Sequence, residues 1–164
     1  MLNEFYNVSN GIKIPKRSFG TWHIPNAHVL SAVRTVLDAG YRHIDTAVNY
    51  QNEQGVALGI KESGLNRKDI FITTKIPAEA KTAEEAKDMI TQSLRNLDTD
   101  YIDLLLIHAP KPWDEHFRGS EKTYFGENIE VWKVMEEFYH AGKVRALGVS
   151  NFAQQDIENL IQHS

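Results

Sequence analysis

The chain has 164 residues, a formal net charge of -4, 41% hydrophobic and 24% charged residues, and no cysteine. That length suffices for one domain with a sizeable core or for part of a larger one, and a mean hydropathy of -0.42 with no long apolar run excludes a membrane-spanning helix. The acidic balance argues against nucleic-acid binding, which needs clustered Lys and Arg, and without Cys there is no disulfide, thiolate chemistry or Cys-ligated zinc.

The opening stretch, residues 1–5, lacks a basic region followed by an apolar core, so no secretory signal is expected and a cytoplasmic home is the default. Phe5 to Val8 and Lys13 to Pro15 flank Ser9-Asn10-Gly11, a hairpin signal because Asn-Gly tolerates the positive φ of a tight turn. Arg17 to Trp22 predicts a first buried strand. Val29, Leu30, Val33, Val36 and Leu37 then recur at helical spacing, with Asn26 as a candidate cap and Gly40 as the stop. Tyr41 to Asp45 reads as a short strand ending at an acid. A helix over about 53–63 stops at Gly64, and 69–75 has the β-branched and aromatic bias of a strand closed by Pro77.

Thr82 and Glu85 have capping-box spacing, and Ala86, Met89, Ile90, Leu94 and Leu97 form the apolar face of the next helix. Tyr101 to His108 is nearly continuously apolar, as strands covered on both faces are. A long loop is expected over 109–127, a helix over about 129–141 stopping at Gly142, a buried strand over 143–150 and a last helix over 154–163.

Strand and helix thus alternate at roughly the 30-residue period of a βαβ unit, with no linker to mark a boundary, so 1–164 is expected to be one parallel α/β domain. A nucleotide-binding open sheet usually shows Gly-x-Gly-x-x-Gly after its first strand, and Phe19-Gly-Thr-Trp-His-Ile24 does not. A (β/α) barrel wall is therefore favoured, and its strand ends share one face. Those ends carry Gly20 to Trp22, Asp45, Lys75, His108, and Ser150 with Asn151. A phenol beside an ammonium, a carboxylate and an imidazole is a coherent acid–base device. Tyr50 is the expected acid, Lys75 would stabilise its phenolate, Asp45 would hold Lys75, and His108 would orient a carbonyl oxygen.

These residues resemble the aldo-keto reductase family. The matching pieces are Gly20-Thr-Trp22, Tyr41-Arg-His-Ile-Asp45 with Tyr50 following, Thr74-Lys75, Asp103-Leu-Leu-Leu-Ile-His108, and Gly142 to Phe152. The resemblance covers essentially the whole chain. It implies a TIM-type (β/α)8 barrel, here cut to about five βα units behind an N-terminal hairpin. It further implies reduction of aldehydes or ketones with NADP(H), with Asp45, Tyr50, Lys75 and His108 as the catalytic tetrad. By the same analogy Ser150 and Asn151, with Asp45, hold the nicotinamide end of the cofactor. Gly20 and Thr21 would line its channel, while Trp22 and Trp113 wall the substrate pocket with Tyr50 and His108. Where family members carry Trp directly after the His, this chain has Ala109.

Other chemistries fit these residues less well. A lysine-imine aldolase would use Lys75 but has no need of Tyr50 and His108. A metal hydrolase built on His43 and Asp45 would have only one imidazole, so no metal ligand is assigned. Gly148-Val-Ser-Asn-Phe152 lacks the second Gly of a serine nucleophile elbow. The rival from another class is a non-catalytic, reductase-like interaction or regulatory module. Five strands would leave two open edges and a row of inward-facing Val, Ile and Leu, including those of 102–107 and 144–149. Either self-association through that open side, or a longer reductase of which this is a segment, is therefore expected.

Overall fold

The computed structural model describes residues 4–163. β1 (Phe5–Asn7) and β2 (Lys13–Pro15) form an antiparallel hairpin apart from the main sheet, and Gly11 takes φ 82 at its turn. The main sheet comprises β3 (Phe19–Gly20), β4 (His43–Asp45), β5 (Phe71–Ile76), β6 (Leu104–Ile107) and β7 (Leu147–Val149). All neighbours in it are parallel and the spatial order is the chain order. Right-handed crossovers put a helix on opposite faces only where strand order reverses, and here it never does. The connecting helices therefore share one face, which is the wall of a barrel and not a doubly wound sheet.

Those helices are α1 (Asn26–Asp38), α2 (Glu53–Glu62), α3 (Ala83–Asn96), α4 (Trp113–Phe117), α5 (Phe125–His140) and α6 (Gln154–His163). The Thr82–Glu85 capping box is present at the start of α3. Gly40, Gly64 and Gly142 take positive φ after α1, α2 and α5, where a chain leaving a helix turns left-handed. No helix among the described residues is long and apolar enough to cross a membrane.

Four sequence expectations need correction. The first strand of the sheet is only Phe19–Gly20, and Trp22 beyond it is 66% exposed rather than buried. The last strand is Leu147–Val149, half-buried because it is a sheet edge. The loop over 109–127 contains α4, and α5 begins at Phe125, earlier than its apolar periodicity showed.

The fourth concerns the barrel interior. Pairing of Thr73 with Leu104 and of Lys75 with Leu106 turns only Leu104 and Leu106 of β6 inward, while Leu105 and Ile107 face the helices. Ile102, Leu105, Ile107 and Val144 are all buried in the core shared with those helices. The inward row is largely polar instead, with His43, Asp45, Thr73 and Lys75 beside Phe71, Leu104 and Leu106. Of the expected inward row of 102–107, only Leu104 and Leu106 remain among the described residues.

Two glycines set how closely α2 lies on α1. A Cβ on Gly59 would stand 2.8 Å from both the Leu30 carbonyl and Val33 Cβ, and one on Gly55 would stand within 2.9 Å of the Asn26 carbonyl. Alanine normally gains about 1 kcal/mol over glycine inside a helix, but overpacking against backbone costs about 1–3 kcal/mol. Gly59→Ala is thus expected to lower the urea midpoint. An unchanged or raised midpoint would show that the helices can separate freely.

Candidate active site

β4 and β5 place the central pair. Strand alternation sends Ile44 into the helix-side core and leaves Asp45 pointing inward at the strand end. In β5 the same alternation turns Thr74 toward the helices and Lys75 inward. The Lys75 ammonium donates to Asp45 Oδ1 at 2.5 Å, to the Thr46 carbonyl at 2.9 Å and to Tyr50 Oη at 3.4 Å. Lys75 is buried while the Asp45 side chain keeps 29% of its surface exposed. Its ammonium is therefore a fixed cation whose three donors are all directed.

Tyr50 ends a single 3-10 turn, Val48–Tyr50, and Gln51 after it takes φ 55, which reverses the chain into α2. Asn52 anchors this turn. Its amide donates to the carbonyls of Thr21 at 2.8 Å and Ile24 at 2.9 Å, and its Oδ1 accepts from Thr46 at 3.0 Å. Because Tyr50 Oη accepts from Lys75, its own O–H hydrogen is left to point into the cleft.

His108 lies across from Tyr50, with ring centroids 5.7 Å apart and edge-to-face. Burial, and next the Lys75 cation, push its imidazole down to about 4, so it is neutral at pH 7. Among the described residues its buried Nδ1 has no hydrogen-bond partner. A neutral imidazole can orient an oxygen through one N–H but has no acidic proton to give near pH 7.

Tyr50 and His108 form the floor of a cleft of about 520 Å3 walled by Trp22, Asn49, Trp113 and Phe117. Trp113 meets His108 edge-on at 5.1 Å and stacks on Phe117 at 5.5 Å. A second depression, of about 550 Å3, lies at the opposite end of the sheet beneath the hairpin. There Asp103 is paired with Arg67 and Arg145, each at 2.8 Å.

The other expected site residues sit at the two sheet edges. Gly20 ends β3 with open space above its Cα, whereas Thr21 is fully buried and donates to Thr46 Oγ1 at 2.9 Å. Ser150 and Asn151 follow β7. The Asn151 amide donates to Ser150 Oγ at 3.0 Å and to the His108 carbonyl at 2.9 Å, with φ at 59. Asp45, Tyr50, Lys75 and His108 are thus brought together, Trp22 and Trp113 both line the cleft over Tyr50 and His108, and Gly20 and Asn151 stand at the two edges of the sheet.

Residues 16–164 match the sequence profile described as the aldo/keto reductase family. The chain belongs to the aldo/keto reductase family. It is 36% identical over 162 residues to the glyoxal reductase of Bacillus subtilis, covering 98% of this chain and 54% of that protein. To the methylglyoxal reductase DkgA of Escherichia coli K12 it is 34% identical over 157 residues, 96% of this chain and 52% of that one. The crystal structure of an aldo/keto reductase from Brucella melitensis superposes with a TM-score of 0.88 at 39% identity, over 98% of this chain and 58% of that one. That of a Bombyx mori aldo-keto reductase in complex with NADP gives 0.85 at 31% identity, over 100% and 55%. The chain spans about half the length of the curated relatives it matches.

Around this cleft, several residues were not singled out by sequence. Glu53 is buried behind β5 and accepts from Thr74 Oγ1 at 2.7 Å, Ser93 Oγ at 2.8 Å and Asn96 at 3.1 Å. In sequence it is an ordinary first-turn acid of α2. Asn49 and Phe117 complete the cleft, and Glu79 takes the Asn49 amide at 3.2 Å and the Trp113 backbone N–H at 3.3 Å. His43, weighed above as a metal ligand, has both ring nitrogens engaged, by the Pro15 carbonyl at 3.1 Å and Thr73 Oγ1 at 2.8 Å.

The neutral His108 has a measurable consequence. Below the ordinary imidazole value of 6.5 the unfolded chain takes a proton that the folded one refuses until about 4. Stability contributed by this group is therefore present above pH 6.5 and is lost as pH falls toward 4. Burial depresses His43 in the same direction. A ring-proton NMR titration is expected to show His108 titrating near 4. A midpoint near 6.5 would contradict the buried, cation-facing placement.

Proposed function

We propose that the chain carries the carbonyl-reducing site of an NADP(H)-dependent reductase, acting on small aldehydes or ketones with Tyr50 as proton donor. One observation carries this: an ammonium held between Asp45 and Tyr50, with a neutral His108 facing the same cleft. The names of the relatives, glyoxal and methylglyoxal reductase, favour small reactive carbonyls as substrates.

The residues fit the cofactor in outline. Gly20 presents no side chain at its strand end, Ser150 and Asn151 offer polar groups at the other edge, and His108 has an unpartnered ring nitrogen between them. NADPH, when bound, supplies the hydride taken by the carbonyl carbon. His108 orients the carbonyl oxygen, and the Tyr50 hydroxyl gives that oxygen its proton as alkoxide charge develops. Lys75 stabilises the phenolate left behind, and Asp45 compensates Lys75 so that the cation stays in place. Trp22, Trp113 and Phe117 give the substrate an aromatic wall on the open side of the cleft.

Imine chemistry at Lys75 is disfavoured by the same geometry. An amine donating to a carboxylate at 2.5 Å serves as a cation, not as a nucleophile. The assay that tests the proposal is consumption of NADPH by the purified protein with a panel of aldehydes, read at 340 nm (the reduced-nicotinamide band). Aldehyde-dependent consumption supports it, and none at millimolar aldehyde and cofactor would favour the non-catalytic module.

A further inference from the structure

Lys81 lies between β5 and α3, outside the Tyr50 cluster, and nothing in the proposed chemistry uses it. It is only 9% exposed, and among the described residues no carboxylate lies within ion-pair distance of its ammonium. A buried cation facing only neutral acceptors is costly, so an apolar side chain filling this position would be the cheaper way to pack it. The acceptors explain its presence. Lys81 Nζ donates to Asn128 Oδ1 at 2.8 Å, to the Pro110 carbonyl at 3.2 Å and to the Ala109 carbonyl at 3.4 Å. Asn128, itself 3% exposed in the first turn of α5, turns its amide onto the same Pro110 carbonyl at 2.9 Å.

The two carbonyls held in this way immediately follow His108. The His108 carbonyl is held from the other side by Asn151 at 2.9 Å, and its N–H by the Ile76 carbonyl at 3.0 Å. Every backbone carbonyl from 108 to 110 is thus claimed, and the segment leads within three residues to Trp113 on the cleft wall. We propose that Lys81 and Asn128 are positioning residues, a charged clamp that fixes the His108–Trp113 segment and with it one side of the cleft. This rests on the reductase reading of that cleft for its functional meaning, but not for its structural test.

The clamp also has a switch point. Burial holds the Lys81 ammonium down to about 8, against upward pulls from Glu127 on α5, Glu79 on its own loop and Asp156 on α6. Glu85 on α3 engages its backbone N–H at 2.9 Å, and the Tyr124 ring lies 5.6 Å from Nζ. Above that pH the amine loses a donor and its charge, and the hold on the two carbonyls weakens.

The test follows the Trp113 indole and the His108 and Ala109 amide signals of the 15N-labelled protein from pH 6.5 to 9.5. An inflection near 8 is expected at all three in the wild type. Lys81→Met should abolish it, while Lys81→Arg, which does not titrate in this range, should hold the signals at their low-pH positions. Asn128→Asp puts a carboxylate where the amide oxygen stood and should raise the inflection by a pH unit or more. The proposal is overturned if the wild type shows no inflection, if Lys81→Met retains it, or if Asn128→Asp leaves it in place. A protein that shows the inflection but reduces no carbonyl overturns the reductase reading alone.

Discussion

Tyr50→Phe is expected to lower carbonyl reduction by about 10^2 to 10^4, the usual worth of a positioned proton donor. The substitution removes the only phenol that touches Lys75 among the described residues. It also leaves the site standing, because Lys75 keeps the Asp45 carboxylate and the Thr46 carbonyl, and the turn is held by Asn52 and not by the phenol. Neutral His108 cannot take over as acid near pH 7. Single-turnover rates in wild type and variant, with circular dichroism to confirm folding, would measure the loss. A variant within about threefold of the wild type would mean that another group or water delivers the proton.

The second large effect lies at the opposite end of the sheet. Asp103 is 1% exposed, and its carboxylate takes Arg67 and Arg145 at 2.8 Å and the Ile72 backbone N–H at 3.0 Å. Arg67 also spans the Ile70 and Tyr101 carbonyls, so one acid ties the start of β5 to the start of β6. Asp103→Ala would leave the Ile72 backbone donor unpaired and take the carboxylate from the part-buried Arg67, which keeps the Ile70 and Tyr101 carbonyls. Leaving such a buried donor unsatisfied costs about 1–3 kcal/mol, a large share of the roughly 5–15 kcal/mol of a domain. Arg145 is half-exposed and adds little by itself. Urea denaturation should show the drop, with a smaller one for Asp103→Asn, which keeps an acceptor for Ile72. A loss below about 1 kcal/mol for Asp103→Ala would mean that water replaces the carboxylate.

What was legible in the sequence was local. The α3 capping box, the Gly stops and the helical faces each depend on residues a few positions apart, and so do the short strands that end at Asp45 and Lys75. The order of elements followed from these, and with it the placing of Asp45, Lys75 and His108 at or beside strand ends, with Tyr50 in the turn beyond β4. What was missed depends on distant pairing. The apolar run of β6 could not reveal which residues face the barrel interior, because that is set by register against β5. α4 is a five-residue helix, too short for periodicity to show. Nothing local marks Glu53 or Lys81 as buried, because their partners stand far off in sequence, 40 residues to Ser93 and 47 to Asn128.

Reduction of a carbonyl in the cleft between Tyr50 and His108 is tested most directly by transfer of label from NADPH dideuterated at nicotinamide C4 to an aromatic aldehyde, with mass spectrometry of the alcohol formed by the purified protein. Carbon-bound deuterium in the alcohol is expected for the wild type, with a loss of that product in Tyr50→Phe. Absence of labelled alcohol from folded wild-type protein, or equal labelling by the variant, would contradict it.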